Sequence, residues 1–379
     1  MAQKRSVFIH SPELERYEYP QTIPFDISRA GRVREVLNSL GLLADGDRCE
    51  IAPEPADRAV VERFHTARYL DALRSAAEGK MDFEAFQMGI GSPDCPAFPD
   101  MYNYAMLACG ATLTGARMIL SGEAERVFNP SGGYHHAGPE KAAGFCYIND
   151  VAIACGVLAE KRRRVLYLDV DVHHGDGVQD AFYDRADVMT ISFHESGHTL
   201  FPGTGHEDEI GTGAGEGYCV NVPLPPGTDD HAYMKAFRAI APPLIRAYDP
   251  EVIVLELGAD TLAGDPLAHL QLTNNTCADV VHEVMNSRKP ILMTGGGGYN
   301  VPNTVRAWAL AWSVLCGEDS QNHDAHVGLG GVMLESTDWY GGLRDRHLHI
   351  DARQAEAVNH AIETVIAAVR KNVFHIHGL

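Results

Sequence analysis

Short, continuous apolar runs recur along this 379-residue chain, each followed by a glycine-rich or acidic loop and then a helix-length segment. Ser6 to His10, Val127-Phe128, Val165-Leu166-Tyr167-Leu168, Val188 to Phe193, Val252 to Leu257 and Ile291 to Thr294 largely lack strict polar and apolar alternation, the pattern of strands buried on both faces. Between them, helical periodicity runs over about Ser28 to Leu43, with Ser28 placed to N-cap, and over Asp57 to Glu78, Tyr102 to Leu120 and Asn149 to Lys161. It returns over Asp230 to Tyr248, near Thr276 to Ser287 and Thr304 to Cys316, and over Arg353 to Lys371. The stretch from Phe193 through Pro226, rich in Gly and Pro, reads as a loop. Alternating strands and helices predict an α/β fold: a mostly parallel sheet covered on both faces by helices. No repeat, linker or low-complexity segment divides the chain, so residues 1–379 are expected to form a single domain.

In an open α/β sheet ligands bind beyond the carboxyl ends of the strands. Five polar loops therefore share one crevice, the expected active site: Asn129 to His136, Asp169 to Asp176, His194 to Gly205, Gly258 to Asp260 and Gly295 to Tyr299. At the end of Val165 to Leu168, Asp169, Asp171 and His173 alternate onto one side. Carboxylate oxygen and imidazole nitrogen are ligands for a borderline divalent ion such as zinc; the other reading is a polar turn with ion-paired acids. Asp260 can supply a third ligand beside Asp171 and His173, leaving positions open for water and substrate, or it can cap a turn.

Adjacent His135 and His136 on a glycine loop can handle protons near a metal, with Asp169 and Asp176 each able to hold one ring nitrogen. A second metal site and two surface histidines are the alternatives. Gly295-Gly296-Gly297-Gly298-Tyr299-Asn300 lacks the Gly-Lys-Ser/Thr of a phosphate loop and the third glycine of a dinucleotide fingerprint. Its bare backbone instead lets the Tyr299 hydroxyl reach a developing oxyanion, unless Tyr299 is a core aromatic. Phe145 and Phe201, in loops of the same crevice, either wall a narrow apolar tube or anchor their loops.

Composition removes several classes. Against 51 Asp plus Glu there are 31 Lys plus Arg, and a net charge of −20 repels phosphate backbones, so direct nucleic-acid binding is not expected. The eight cysteines form no CxxC pair, which argues against a disulfide framework or thiolate cluster and fits a reducing cytoplasm. No signal peptide is read near Met1 and no apolar run approaches membrane-spanning length, so no membrane association is expected.

Taken in order, Ser131 to Ala137, Gly144 to Asp150, Asp169 to Gly177, Phe201 to Gly205, Leu257 to Asp260 with Gly264-Asp265, and Gly295 to Asn300 resemble the motifs of zinc-dependent histone deacetylases of the class I type, in the arginase-deacetylase group. The similarity extends over nearly the whole chain and has the look of a bacterial-type member. The resemblance implies one α/β domain with a central eight-stranded sheet and a catalytic metal, Zn2+ or alternatively Fe2+, held by Asp171, His173 and Asp260. It implies a structural K+ near Asp169, Asp171, His173, Ser192 and Phe193, and a second near Phe182, Arg185, Val188 and Tyr218. It also implies a substrate channel: Asp94 holding substrate backbone at the rim, Gly144, Phe145 and Phe201 in the walls, Leu267 as an apolar gate, and Arg29 along an inner channel. His136, held by Asp176, becomes the general base and the donor to the leaving amine, with His135, held by Asp169, as electrostatic support. Three features are individual: Tyr134 where Trp or Leu is usual, Leu200 where an aromatic is common, and the loop from Glu195 to Thr199. Pro266 lies where relatives bound to corepressors carry a basic inositol-phosphate contact.

The implied activity is hydrolysis of an acyl-lysine amide in proteins or peptides. Two alternatives stand beside it: a small-molecule amidohydrolase acting on acetylpolyamine or an acetoin-pathway compound, and a binding module that senses acyl groups without turnover.

Overall fold

In the computed structural model, which describes residues 5–43, 46–162, 164–318 and 343–379, eight strands form one sheet. They are β1 (Arg5–Ile9), β2 (Arg48–Ile51), β3 (Ala124–Asn129), β4 (Val165–Asp169), β5 (Val188–Glu195), β6 (Cys219–Leu224), β7 (Val252–Glu256) and β8 (Ile291–Thr294). Their order across the sheet is β2-β1-β3-β8-β7-β4-β5-β6, and every pairing is parallel, so the expected mostly parallel sheet is wholly parallel among the described residues. The helices are α1 (Arg29–Ser39), α2 (Arg58–Val61), α3 (Ala67–Ala77), α4 (Phe83–Gln87), α5 (Met101–Ser121), α6 (Asp150–Lys161), α7 (Asp176–Phe182), α8 (Asp230–Tyr248), α9 (Asn274–Met285), α10 (Val301–Leu315) and α11 (Ala352–Val373).

Strand alternation sorts the core onto two faces. Val127, Val165, Tyr167, Val252, Val254 and Leu292 pack with residues of α5, α6 and α7. Phe128, Leu166, Leu168, Ile253, Leu255 and Met293 pack with α1, α8, α9, α10 and α11. The five strands whose following loops carry the polar motifs are contiguous, β3-β8-β7-β4-β5, so their carboxyl ends open into one crevice.

Two strands are absent from the sequence reading. β2 is an edge strand in which Arg48 and Glu50 replace any apolar run, and β6 is the opposite edge, inside the stretch read as loop. Its Pro223 is tolerated there because an edge strand leaves one side of its backbone unpaired. The periodic segment from Asp57 to Glu78 is two helices, α2 and α3, with Thr66 capping the second through Tyr69 N. Ser28 does not cap α1: its backbone is helical and its own N–H donates to Asp26 Oδ1. Helix α10 starts at Val301 rather than Thr304, since Pro302 in a first turn gives up no hydrogen bond and Asn300 caps Asn303 N.

Candidate active site

At the end of β4, Asp169 still belongs to the strand, and Asp171 and His173 follow on the loop that leads into α7. His173 Nδ1 lies 3.2 Å from Asp171 Oδ1 and 3.0 Å from Asp260 Oδ2, and all three side chains are buried. Each carboxylate is oriented by backbone: Gly297 N donates to Asp171 Oδ2 at 2.7 Å, and Val172 N to Asp260 Oδ1 at 3.1 Å. Position 297 has to be glycine, because a Cβ would lie 1.9 Å from Asp260 Oδ2. One nitrogen and two oxygens within 4.8 Å of one another fit a small divalent ion such as zinc with coordination positions to spare. His173 is held up to about 10 by Asp171 and Asp260 against the cost of burial, and Asp260 is pushed up to about 7 by burial and the charge of Asp171.

The two loop histidines stand beside this cluster. His135 Nε2 is 3.0 Å from His136 Nε2, and His136 Nδ1 is 2.8 Å from Asp176 Oδ1. His135 Nδ1 faces Asp169 Oδ2 at 3.0 Å, as expected, and also Glu256 Oε1 at 3.1 Å, which sequence reasoning missed. The two imidazoles diverge in their affinity for a proton. Burial lowers the affinity of His135 for a proton, yet the charges of Glu256 and Asp169 outweigh it and raise the group well above its usual value. Burial and the charge of His135 together push His136 down to about 4, leaving a free base.

The histidine loop is pinned from below by the start of α6. Asp150 accepts from Gly133 N at 3.1 Å and Tyr134 N at 2.8 Å, while Asn149 Nδ2 donates to the carbonyls of His135 and Ala137. Both anchors sit inside the Gly144 to Asp150 motif, where the only sequence signal is a helix start. Tyr134, one of the individual positions, pairs its hydroxyl with that of Tyr104 at 2.5 Å.

Tyr299 is half-buried, its ring edge-on to Phe145 at 5.5 Å. Burial, reinforced by the charges of Asp260 and Asp171, keeps its hydroxyl protonated. Asp265, given no role from sequence, accepts from Tyr299 N at 2.8 Å and from Leu267 N at 3.0 Å, tying the glycine loop to the half-buried Leu267. Phe201, 47% exposed, stands edge-on to His136 at 5.0 Å and 6.3 Å from the His173 ring, so it lies at the opening of the pocket. Phe145 adopts a left-handed conformation with φ 65°.

Asp94 Oδ2 accepts from Gly144 N at 2.9 Å and its Oδ1 from Ser92 Oγ at 2.7 Å. These bonds lower the carboxyl against the cost of burial, and they make Asp94 a support of the Gly144-Phe145 wall. Arg29 is buried, donating from Nη1 to the Gly298 carbonyl at 2.8 Å and from Nη2 to that of Gly296 at 3.1 Å, so it braces the glycine loop from behind. The residues read as potassium contacts fall in two groups. Asp169 and Ser192 are register partners at one end of β4 and β5, and Ser192 Oγ is 2.8 Å from His194 Nδ1. Val188 begins β5 at the other end, and the Arg185 guanidinium lies over the Phe182 ring while pairing with Asp187. Tyr218 precedes β6 and accepts from Thr190 N through its carbonyl.

The chain is similar to named proteins over most of its length. The Xenopus tropicalis protein named Histone deacetylase 8 is 39% identical over 315 residues, 82% of this chain and 84% of its own. The Acetoin utilization protein AcuC of Bacillus subtilis is 39% identical over 324 residues, 83% of each chain. The crystal structure of an HDAC homolog from Aquifex aeolicus superposes with a TM-score of 0.84 at 29% identity, covering 96% of this chain and all of that one. Residues 23–315 match the histone deacetylase domain, and the chain belongs to the histone deacetylase family.

Proposed function

We propose that this protein is a metal-dependent amide hydrolase that removes the acetyl or a related acyl group from N6 of lysine in proteins or peptides, releasing a carboxylate and the free amine. The observation that carries this reading is the buried contact between an Asp171, His173, Asp260 cluster and two imidazoles braced by carboxylates. The family relatives named as deacetylases support it, as does an HDAC homolog whose structure is complexed with SAHA and superposes with a TM-score of 0.85.

We assign zinc, with Fe2+ as the alternative, to Asp171, His173 and Asp260, where the ion supplies Lewis-acid polarisation of the acyl carbonyl and of the attacking water. His136 takes the proton from water through Nε2, because Asp176 holds Nδ1 as the donor edge, and for this step Nε2 turns from His135 Nε2, which it faces at 3.0 Å, to the water. As the C–N bond breaks, the same nitrogen returns the proton to the lysine amine. Tyr299 donates its hydroxyl proton in a hydrogen bond to the developing oxyanion, and His135 lends positive charge nearby. Phe145 and Phe201 flank the methylene stem of the substrate lysine, with Asp94 and Leu267 at the mouth and Arg29 behind the glycine loop.

Structural K+ at the Asp169, Asp171, His173, Ser192, Phe193 group and at Phe182, Arg185, Val188, Tyr218 belongs to the same reading. So does a single catalytic domain over residues 1–379, working in the cytoplasm without nucleic acid or membrane. Eight free cysteines suit a reducing compartment, and no helix among the described residues is long and apolar enough to cross a membrane. The test is turnover of an acetyl-lysine peptide, an acetylpolyamine and free acetyl-lysine by the zinc-loaded protein, with and without chelator. Chelator-sensitive turnover of the peptide is expected. Preference for the small amines promotes the small-molecule reading, and binding without turnover promotes the acyl-sensing module.

A further inference from the structure

We propose that Glu256 is a positioning residue for this reaction, clamping the Nδ1 edge of His135 against Asp169 so that Nε2 stays turned toward His136. This rests on the assignment of His135 and His136 to proton handling and deepens it. Asp169 and Glu256 are register partners at the ends of adjacent parallel strands, β4 and β7, so the sheet itself sets two carboxylates side by side. Tyr167, two residues before Asp169 on the same face, places its hydroxyl 2.6 Å from Asp169 Oδ2 and 2.8 Å from Glu256 Oε2. That leaves Glu256 Oε1, fully buried, with no conventional hydrogen bond of its own and 3.1 Å from His135 Nδ1.

Asp169 takes the Nδ1–H in line and Glu256 Oε1 flanks it, so the clamp is a pair of acceptor oxygens facing one ring edge, and turning that edge away loses both. Its output is at the far nitrogen: Nε2 is 3.0 Å from His136 Nε2 and 4.0 Å from Asp171 Oδ1, toward the reacting atoms. The same three ligand atoms, from His135, Asp169 and Glu256, are close enough to hold an ion, so a second metal is the competing outcome.

The experiment uses the full chain loaded with zinc, as wild type, Glu256→Gln and Glu256→Ala. In wild type a histidine Nδ1 proton should resonate far downfield in 15N-edited spectra. It should move upfield in Glu256→Gln, where an amide replaces the carboxyl group beside Nδ1, even if Glu256→Ala fails to fold. With an acetyl-lysine peptide, Glu256→Ala should lose about 10- to 100-fold in kcat with KM within about twofold, and Glu256→Gln, which keeps shape and one acceptor oxygen, should recover most of it. Zinc content should stay at one equivalent throughout. An Nδ1 resonance unmoved in Glu256→Gln overturns the proposal, as does a second equivalent of divalent metal in wild type that both variants lose. Should wild type fail to turn over any acyl-lysine peptide, the functional reading falls while the resonance still decides the role of Glu256.

Discussion

Removing one hydroxyl at Tyr299 isolates a single step. Tyr299→Phe keeps the ring against Phe145 and the backbone bond to Asp265, so it should retain fold and metal and lose about 10²- to 10³-fold in kcat, the usual effect of one missing oxyanion donor. Unchanged turnover would make Tyr299 structural. Asp260→Ala and His173→Ala each remove one of three ligand groups, and both should lose bound zinc and activity together; a full equivalent of tightly held zinc in either variant would refute the ligand set. These residues are legible in sequence because metal and proton chemistry draw on few residue types, and here those types follow strand ends. Glu256 is not legible in the same way. One acid at the end of Val252 to Glu256 reads as the strand's polar tip, and only the register of β4 with β7 brings it to His135.

At the scale of elements, the histidine loop depends on the turn between α2 and α3. His65 Nε2 accepts from Asn149 N at 2.9 Å, and Asn149 holds the carbonyls on either side of His136. Burial pushes His65 down to about 3, against the nearby carbonyls of Pro139 and Gly138, which favour the proton. In the unfolded chain the group titrates near 6.5, so below that pH the unfolded state binds the extra proton. This contribution to stability is whole above 6.5 and is lost as pH falls toward 3, at up to about 1.4 kcal/mol per pH unit. Urea unfolding at pH 7.5 and 5 should show a drop in wild type that His65→Gln reduces, the amide being able to accept from Asn149 N without charging. An equal drop in the variant would remove His65 from the account. The helices and central strands follow from periodicity and apolar runs, whereas β2 and β6 do not, since an edge strand half-covered or carrying Pro223 lacks the run that marks a buried one. A clamp such as His65 with Asn149 spans 84 positions and leaves no local signal.

For the whole molecule, the excess of 51 acidic over 31 basic residues sets a field that attracts cations before any contact is made. Both rival substrate classes, a lysine-rich peptide and an acetylpolyamine, are cationic, so steering raises the association rate of each and cannot choose between them. On the proposed reading the choice belongs to the mouth, to which that reading assigns the apolar Leu267 and the Asp94 carboxylate, able to accept from peptide N–H groups. Because Asp94 also holds Gly144 N, Asp94→Ala should loosen the Phe145 wall and slow both substrates, with the larger loss on the peptide. Wild type should therefore prefer acetyl-lysine peptides by kcat/KM. The field should show separately: a peptide flanked by Lys should exceed one flanked by Glu at about 20 mM salt, and the gap should close by about 500 mM as the Debye length falls below the size of the mouth. Measured over that salt range for peptide and polyamine, on wild type and Asp94→Ala, kcat/KM separates the two effects. A salt-independent gap between the peptides would assign the selectivity to contacts alone. A wild-type preference for the polyamine, or equal losses on both substrates in Asp94→Ala, would mean that the mouth does not read a peptide backbone.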